Sequence, residues 1–492
     1  MNTLKLSSVI LFLSSWCHGF GATLFPFLIP LPLTRNSVGP RPLSMSLSSS
    51  RSSANPSKMS FDGDIDSPYR EDKIIRWAIV GLGDVCAIKS GPAFYKCRGS
   101  TLSAVMRRTP GAAQEWMETN APNLPLDVAQ SMRAFDSVEV MMREMMTSEE
   151  PLDAIYVATP PGAHLENIRQ IVTAIDSLAD ATEGGQRKLK AVYVEKPCGR
   201  CAWETRAMVD ELSARDIKFY PAYVSRSHER TVVLRGLLGT DKVCGDMVTA
   251  IKYTQRGSSL ARGLDAGSSS SIPWRLNAEQ SGGGLIMDMG CHLLDRIDYL
   301  FGPLENIKSK VLRKGGTVST TSSYPLVEDY VSMSATIGDC DWSAISSVGA
   351  TVECVWDFSP TESSSSNATL EGDADELVIS GPKGSLRMAG MGAGLPIELL
   401  DNSGRLVKRI EFDAPKHAAQ PLIQTVVDEL LGLRADGDKN DTRSVQSPAT
   451  AANAVRTSEV LDAILGSYYG GRHDDFWLRS ESWPGLKPKA SP

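Results

Sequence analysis

The sequence predicts an α/β chain in two folded parts, a doubly wound domain over residues 74–224 and an α+β domain with a mostly antiparallel sheet over 225–446. Three observations carry this. Short apolar runs at 75–80, 102–106, 153–158, 191–194 and 218–222 alternate with helical segments, the pattern of a parallel sheet covered on both faces. The first run ends in Gly81-Leu82-Gly83, a turn tight enough to bring main-chain N–H groups up to a diphosphate at the start of a helix. Beyond Ser225 the texture changes, and strand-like segments follow one another with few helices between them.

A chain of 492 residues is too long for one core, so two domains with extensions are expected. Its 42 per cent hydrophobic and 22 per cent charged content is that of a soluble globular protein. The formal charge of −7 is unevenly placed: residues 1–61 hold Lys5, Arg35, Arg41, Arg51 and Lys58 and no acid, so that arm is +5 and the remainder −12. An acidic body argues against nucleic acid as a partner.

The basic arm reads as an address rather than as folded structure. Residues 9–16 (VILFLSSW) are long enough for a signal-peptide core and too short to span a bilayer, so no membrane partner is expected for the mature chain. Gly19 and Gly21 stand at cleavage positions, and 23–60 is rich in Ser, Pro and Leu, with scattered Arg and no acid, as in transit peptides. Together these resemble a two-part plastid presequence with Phe20 at the junction; secretion or an endomembrane lumen is the alternative. Residues 62–73 form an acidic linker.

In the first domain, helix 92–96 leads to strand 102–106, which ends in Arg107-Arg108. An acid holding the ribose 2′-hydroxyl of NAD belongs about there. Two guanidinium groups suit a 2′-phosphate instead, so NADP is favoured over NAD. Helix 137–146 and strand 153–158 follow, the latter running into Thr159-Pro160-Pro161-Gly162-Ala163-His164 before helix 165–178. After a polar loop at 181–190, strand 191–194 carries Glu195-Lys196-Pro197 at its end, where chemistry gathers in open α/β sheets. Helix 202–215 and strand 218–222 complete the domain.

In the second domain, strands are predicted at 247–255, 308–313, 330–337, 351–358, 376–379, 385–388 and 397–400, with Ser- and Gly-rich loops at 257–271 and 363–366. One helix, from the Gly282-Gly283-Gly284 run to Phe301, interrupts them, and helices at 421–433 and 449–469 precede a tail from 471. Nine cysteines form no dense framework; Cys17 leaves with the arm. Cys198 and Cys201 have CxxC spacing without a second pair for zinc, so no metal site is expected, and two buried thiols or a redox dithiol remain as readings. Asn367 and Asn440 head glycosylation sequons that matter only in the secretory route.

Gly81-x-Gly83, Glu195-Lys196-Pro197 and Gly282-Gly-Gly-x3-Asp288-x3-His292 together resemble the glucose-fructose oxidoreductase / inositol dehydrogenase / MocA family of NAD(P)-dependent oxidoreductases, over about residues 74–470. The resemblance implies a Rossmann-type nucleotide domain followed by an α+β domain with a large open sheet that mediates a homodimer or homotetramer. It implies a small sugar, polyol or other cyclic hydroxy or keto substrate, with Lys196 as catalytic residue and Asp288 and His292 as its partners. It further implies cofactor contacts from Gly81, Leu82, Gly83, Asp84, Val85, Thr159, Pro160, His164, Glu195, Lys196, Trp274 and Arg275, beside Arg107 and Arg108. Cys86 in the third glycine position and the longer loop before 191 depart from the family pattern.

Proton chemistry gives these residues reasons of their own. A buried lysine beside a cationic ring is expected to have its pKa lowered toward neutrality, where it works best as a base. Asp288 and His292, four apart on a helix, share a face; Asp288 is expected to orient the imidazole and favour its charged form, with Asp295 in support. The function expected is NADP(H)-dependent hydride transfer to or from a cyclic hydroxy or keto compound. A catalytically silent NADP-binding regulator and an NAD-dependent glycoside hydrolase are the alternatives.

Overall fold

The computed structural model describes residues 73–83, 86, 89–181, 188–257, 274–314, 327–359, 374–434, 444–473 and 475–484. The basic arm, Asp84, Val85, the Ser- and Gly-rich loops at 258–271 and 363–366, Asn367 and Asn440 lie outside the described residues.

Strand β1 (Ile75–Val80) is central because Trp77, Ala78, Ile79 and Val80 are buried from both sides. It pairs in parallel with β2 (Ser100–Met106) and β4 (Ala154–Val157), Ala78 facing Ala104 on one side and Ile155 on the other. With β3 (Arg133–Phe135), β5 (Ala191–Val194) and β6 (Lys218–Pro221) the order is β3-β2-β1-β4-β5-β6. The winding reverses between β1 and β4, which opens a crevice above their C-terminal ends.

One face of this sheet is covered by helices Val138–Met146, His164–Ala181 and Ala202–Ser213, with Met141, Met142, Ile168 and Ile171 buried in the contact. On the other face Trp77, Phe94, Tyr156 and Tyr193 form a ring cluster, with centroids 4.8 Å apart for Trp77–Phe94 and 5.0 Å for Phe94–Tyr156. Late in the chain, helix Gln420–Leu430 returns to this face and buries Leu422, Ile423, Val426 and Val427. At about 1.5–3 kcal/mol for each fully buried aliphatic side chain, those four anchor it well. Its packing therefore belongs to the first sheet, although the sequence assigns it to the second domain.

The second sheet has eight strands in the order β14-β13-β12-β11-β7-β10-β9-β8. They are β7 (Ala250–Arg256), β8 (Leu304–Leu312), β9 (Tyr330–Ile337), β10 (Thr351–Asp357), β11 (Ala374–Gly381), β12 (Gly384–Ala389), β13 (Ile397–Leu400) and β14 (Leu406–Ile410). All pairs are antiparallel except β7–β10. Alternation sets the two faces: Ile251, Tyr253, Val352, Cys354 and Trp356 turn inward, while Lys252 and Glu353 stand exposed. Helices Cys291–Phe301 and Ala451–Tyr469 supply buried apolar residues to this core, the latter capped by Thr450, whose side chain accepts from the Asn453 N–H.

Two expectations need correction. Strand β14 was not expected because it is an exposed edge with no apolar alternation to read. The predicted helix from Gly282 begins later: a π-turn at Ile286–Gly290 precedes the α-helix Cys291–Phe301. Gly282 has φ +85°, and a Cβ on Gly284 would meet the Glu328 carbonyl oxygen at 2.3 Å, so this glycine run is a close approach of two backbones.

Candidate active site

The turn after β1 is shaped by what touches it. Gly81 has φ +96°, and a Cβ there would lie 2.7 Å from Thr159 Cγ2 and 2.9 Å from Thr159 N. Its N–H donates to the Met106 carbonyl at 2.9 Å, which ties the turn to β2. A Cβ on Gly83 would meet nothing within 4 Å. One glycine is thus required by the wall behind and the other faces open space, a cradle that fits a diphosphate. Cys86 is buried and its thiol donates to the Gly81 carbonyl at 3.2 Å, so it braces the turn from below; burial pushes this thiol up to about 12.

Arg107 and Arg108 follow β2 directly and are both exposed, with no ion pair among the described residues. Thr159 and Pro160 stand at the end of β4, with Thr159 Oγ1 accepting from Asn167 Nδ2 at 2.9 Å. His164 departs from expectation. It is fully buried, and its ring nitrogens lie 2.6 Å from the carbonyls of Cys198 and Thr159, so it clamps two loops and has no nitrogen left for a ligand. Cys198 and Cys201 stand beside it as buried free thiols.

At the end of β5 the side chains of Glu195 and Lys196 part. Glu195 accepts a hydrogen bond from Tyr156 Oη at 2.6 Å. Lys196, whose peptide bond to Pro197 is cis, donates from Nζ to the Asp288 carboxylate at 2.6 Å and to its main-chain carbonyl at 3.0 Å. The other carboxylate oxygen accepts from Arg275 Nε at 3.2 Å, and the Arg275 guanidinium lies 4.4 Å from the centre of the Trp274 ring. Four sequence-predicted residues, Lys196, Asp288, Arg275 and Trp274, therefore form one connected chain.

The electrostatics reverse two expectations. Burial opposes the Lys196 ammonium, but Asp288, Cys291 and Glu195 together outweigh it and raise the pKa above the ordinary lysine value. The amine is not tuned toward neutrality; it is held protonated by its ion pair. Asp288 does not serve His292. Burial raises its carboxyl, yet Lys196 and Arg275 overcome this and hold it below the usual carboxylate range. Burial and the Lys196 charge depress His292 well below the usual imidazole value, despite the pull of Asp288, so His292 is neutral. Its ring makes no hydrogen bond to a described residue, which leaves a donor and an acceptor for a ligand hydroxyl.

The sequence missed the scaffold behind this chain. Glu328 accepts from the Gly284 N–H at 3.0 Å to both carboxylate oxygens and from Tyr469 Oη. Arg472 donates to the Gly282 carbonyl at 2.6 Å and to the Arg200 carbonyl. These contacts join residues far apart in the chain, and no local pattern announces them. Among the described residues no group of three His, Cys, Asp or Glu is placed to hold a metal ion, and no helix is long and apolar enough to cross a membrane.

The sequence profile of the GFO/IDH/MocA C-terminal domain matches residues 252–387, from β7 into β12. Oxidoreductase P35 of Formosa agariphila is 24% identical over 397 residues, covering 80% of this chain and 99% of that protein. The sequence and structural comparisons all point to the Gfo/Idh/MocA oxidoreductase family. The chain's fold is shared with solved oxidoreductases: the WlbA dehydrogenase of Bordetella pertussis, solved with NADH and UDP-GlcNAcA, aligns with a TM-score of 0.52 at 18% identity over 80% of this chain and 96% of that one. A super-repressor mutant of Gal80p from Saccharomyces cerevisiae aligns with a TM-score of 0.60 at 14% identity over 80% and 95%. The curated relative is an oxidoreductase, and the likeness to Gal80p is one of fold.

Proposed function

We propose that the chain is an NADP(H)-dependent oxidoreductase of a sugar-like, polyol or other cyclic hydroxy or keto compound. The observation that carries the reading is the Lys196 ammonium, fixed by Asp288 at the rim of the crevice that the glycine turn opens. When bound, a nicotinamide supplies or accepts the hydride. Lys196 holds the proton that a substrate carbonyl oxygen takes up in the reductive direction. His292, being neutral, either donates to or accepts from a second substrate oxygen. In either direction the Lys196 proton moves against the pull of its ion pair with Asp288.

NADP preference rests on the two exposed guanidiniums past β2. A phosphate held by one or two charge-assisted hydrogen bonds is worth roughly 1.5–3 kcal/mol each. Replacing Arg107 and Arg108 together by Gln should therefore weaken NADPH binding by about tenfold or more and leave NADH binding nearly unchanged, as read by titration of protein fluorescence. Equal NADPH affinity in wild type and variant would remove both residues from the 2′-phosphate.

A regulator that binds the nucleotide without turning it over is the second reading, favoured by the shared fold with Gal80p. A screen of sugars, polyols and their keto forms for oxidation of NADPH, followed by absorbance, separates the two. Turnover of any substrate supports the enzyme; nucleotide binding with no turnover across the panel supports the regulator.

A further inference from the structure

Helix Cys291–Phe301 carries a second functional group beyond His292. Arg296 is four residues on, so it lies on the same face about 6 Å further along the helix. It is 2% exposed and poorly satisfied: Nη1 reaches only the Met391 thioether at 3.5 Å, Nη2 donates to the Met391 carbonyl at 3.4 Å, and Nε has no partner. Buried polar groups are normally paired, so an arginine left this way is costly unless something else meets it.

A second guanidinium converges on the same loop. Arg230, 1% exposed, donates from Nη1 to the carbonyls of Gly390 and Gly392, both at 2.8 Å, and from Nη2 to that of Pro396 at 3.0 Å. Its Nε is also without a partner, as are the buried His228 Nδ1 and Gln255 Oε1. The charges around this cluster do not cancel. Asp295 is taken up by Arg226, which leaves Asp375, itself accepting from Tyr253 Oη at 2.8 Å, as the carboxylate facing both guanidiniums. Burial and the neighbouring guanidinium draw Arg230 down to about 9, and burial draws Arg296 to about 10, so both are charged at neutral pH. Among the described residues one net positive charge stays buried without a counter-charge.

Met391 is half-buried, Gly392 beside it is exposed, and Gly390 has φ +69°, so an unbranched thioether between glycines separates Arg296 from solvent. We propose that Arg296, backed by Arg230 and His228, is the anion clamp of the substrate site: it takes the carboxylate of a sugar acid in the place of Met391, with the reacting carbon held beside His292 and Lys196. A guanidinium fork fits carboxylate and phosphate alike, but one uncompensated charge matches a monoanion. The inference rests on the oxidoreductase reading and names its substrate class.

The test is calorimetric titration of the full chain saturated with NADPH, using D-glucuronate, D-glucose and D-glucose 6-phosphate as probes. Glucuronate is expected to bind about tenfold or more tighter than glucose, as a charge-assisted pair should. Arg296→Gln should erase that margin while NADPH titration shows the nucleotide domain intact, and Arg296→Lys, which keeps the charge without the fork, should restore part of it. Should Arg296→Gln not fold, the wild-type margin and the Arg296→Lys comparison decide. Equal binding of the two sugars, binding of neither, or a margin that Arg296→Gln leaves untouched overturns the clamp. A preference for the phosphate overturns the carboxylate. Following NADPH oxidation in the same samples keeps the two readings apart: a margin without hydride transfer sinks the enzyme reading alone, and hydride transfer to glucose without a margin sinks the clamp alone.

Discussion

Replacing Lys196 with Met is expected to lower turnover by about a hundredfold or more while NADPH binding stays nearly intact, the scale of a lost general acid. The structure sharpens this because the amine has two separable jobs: it carries a proton, and its charge balances Asp288 at 2.6 Å. Arginine keeps the charge but replaces the single amine with a delocalised planar fork that does not place a proton at the same point. Lys196→Arg should therefore retain most of the fold's stability and still lose turnover, whereas Lys196→Met loses turnover and gives up part of the stability while the nucleotide still binds. Rates within a few-fold of wild type in either variant would remove Lys196 from the proton step.

The same pair sets a pH window. Lys196 has a folded pKa above its ordinary 10.5, so its contribution is complete below that value and is lost as the pH rises through the raised one. Asp288 is depressed below 3.8, so its contribution is complete above that value and is lost as the pH falls through the depressed one. Between those limits the ion pair persists, and turnover in the reductive direction should show no titration of Lys196 or Asp288 near neutrality.

Arg226→Met is expected to cost about 3–5 kcal/mol of stability, because it strands a carboxylate in the core. Arg226 and Asp295 are 1% and 0% exposed, joined through Nε at 3.1 and 3.0 Å to the two carboxylate oxygens, and Arg226 Nη1 also donates to the Pro448 carbonyl at 2.7 Å and to Asn453 at 2.8 Å. Even paired, burial pushes the Asp295 carboxyl up to about 6. A raised acid stabilises the fold below its ordinary 3.8, and that share is drawn down as the pH climbs through about 6. The loss in Arg226→Met should accordingly be smaller at pH 4 than at pH 7. Removing both charges, as Arg226→Met with Asp295→Leu, should recover most of it. Urea denaturation at the two pH values reads all of this, and a single variant as stable as wild type would mean the charge is solvated by some other route.

The elements that were legible in the sequence are those whose burial repeats along the chain. Strands β9 and β13 stand where alternation and apolar runs put them, and Gly81, Glu195 and Asp288 are findable because a turn, a strand end and a glycine run mark them. The protonation state of Lys196 was not legible, since it is decided by a carboxylate 92 residues away. His164 was assigned to the cofactor because its loop is; only coordinates show both its nitrogens spent on carbonyls. Arg296 looks like any charge on an amphipathic helix until its neighbours show that it has nothing adequate to bond to.

The most direct measurement is the crystal structure of the chain with NADP⁺ bound. The account predicts the diphosphate over Gly81 and Gly83, the 2′-phosphate between Arg107 and Arg108, and the nicotinamide beside Lys196 and His292. A nucleotide seated elsewhere, or one whose nicotinamide end points away from Lys196, would contradict it.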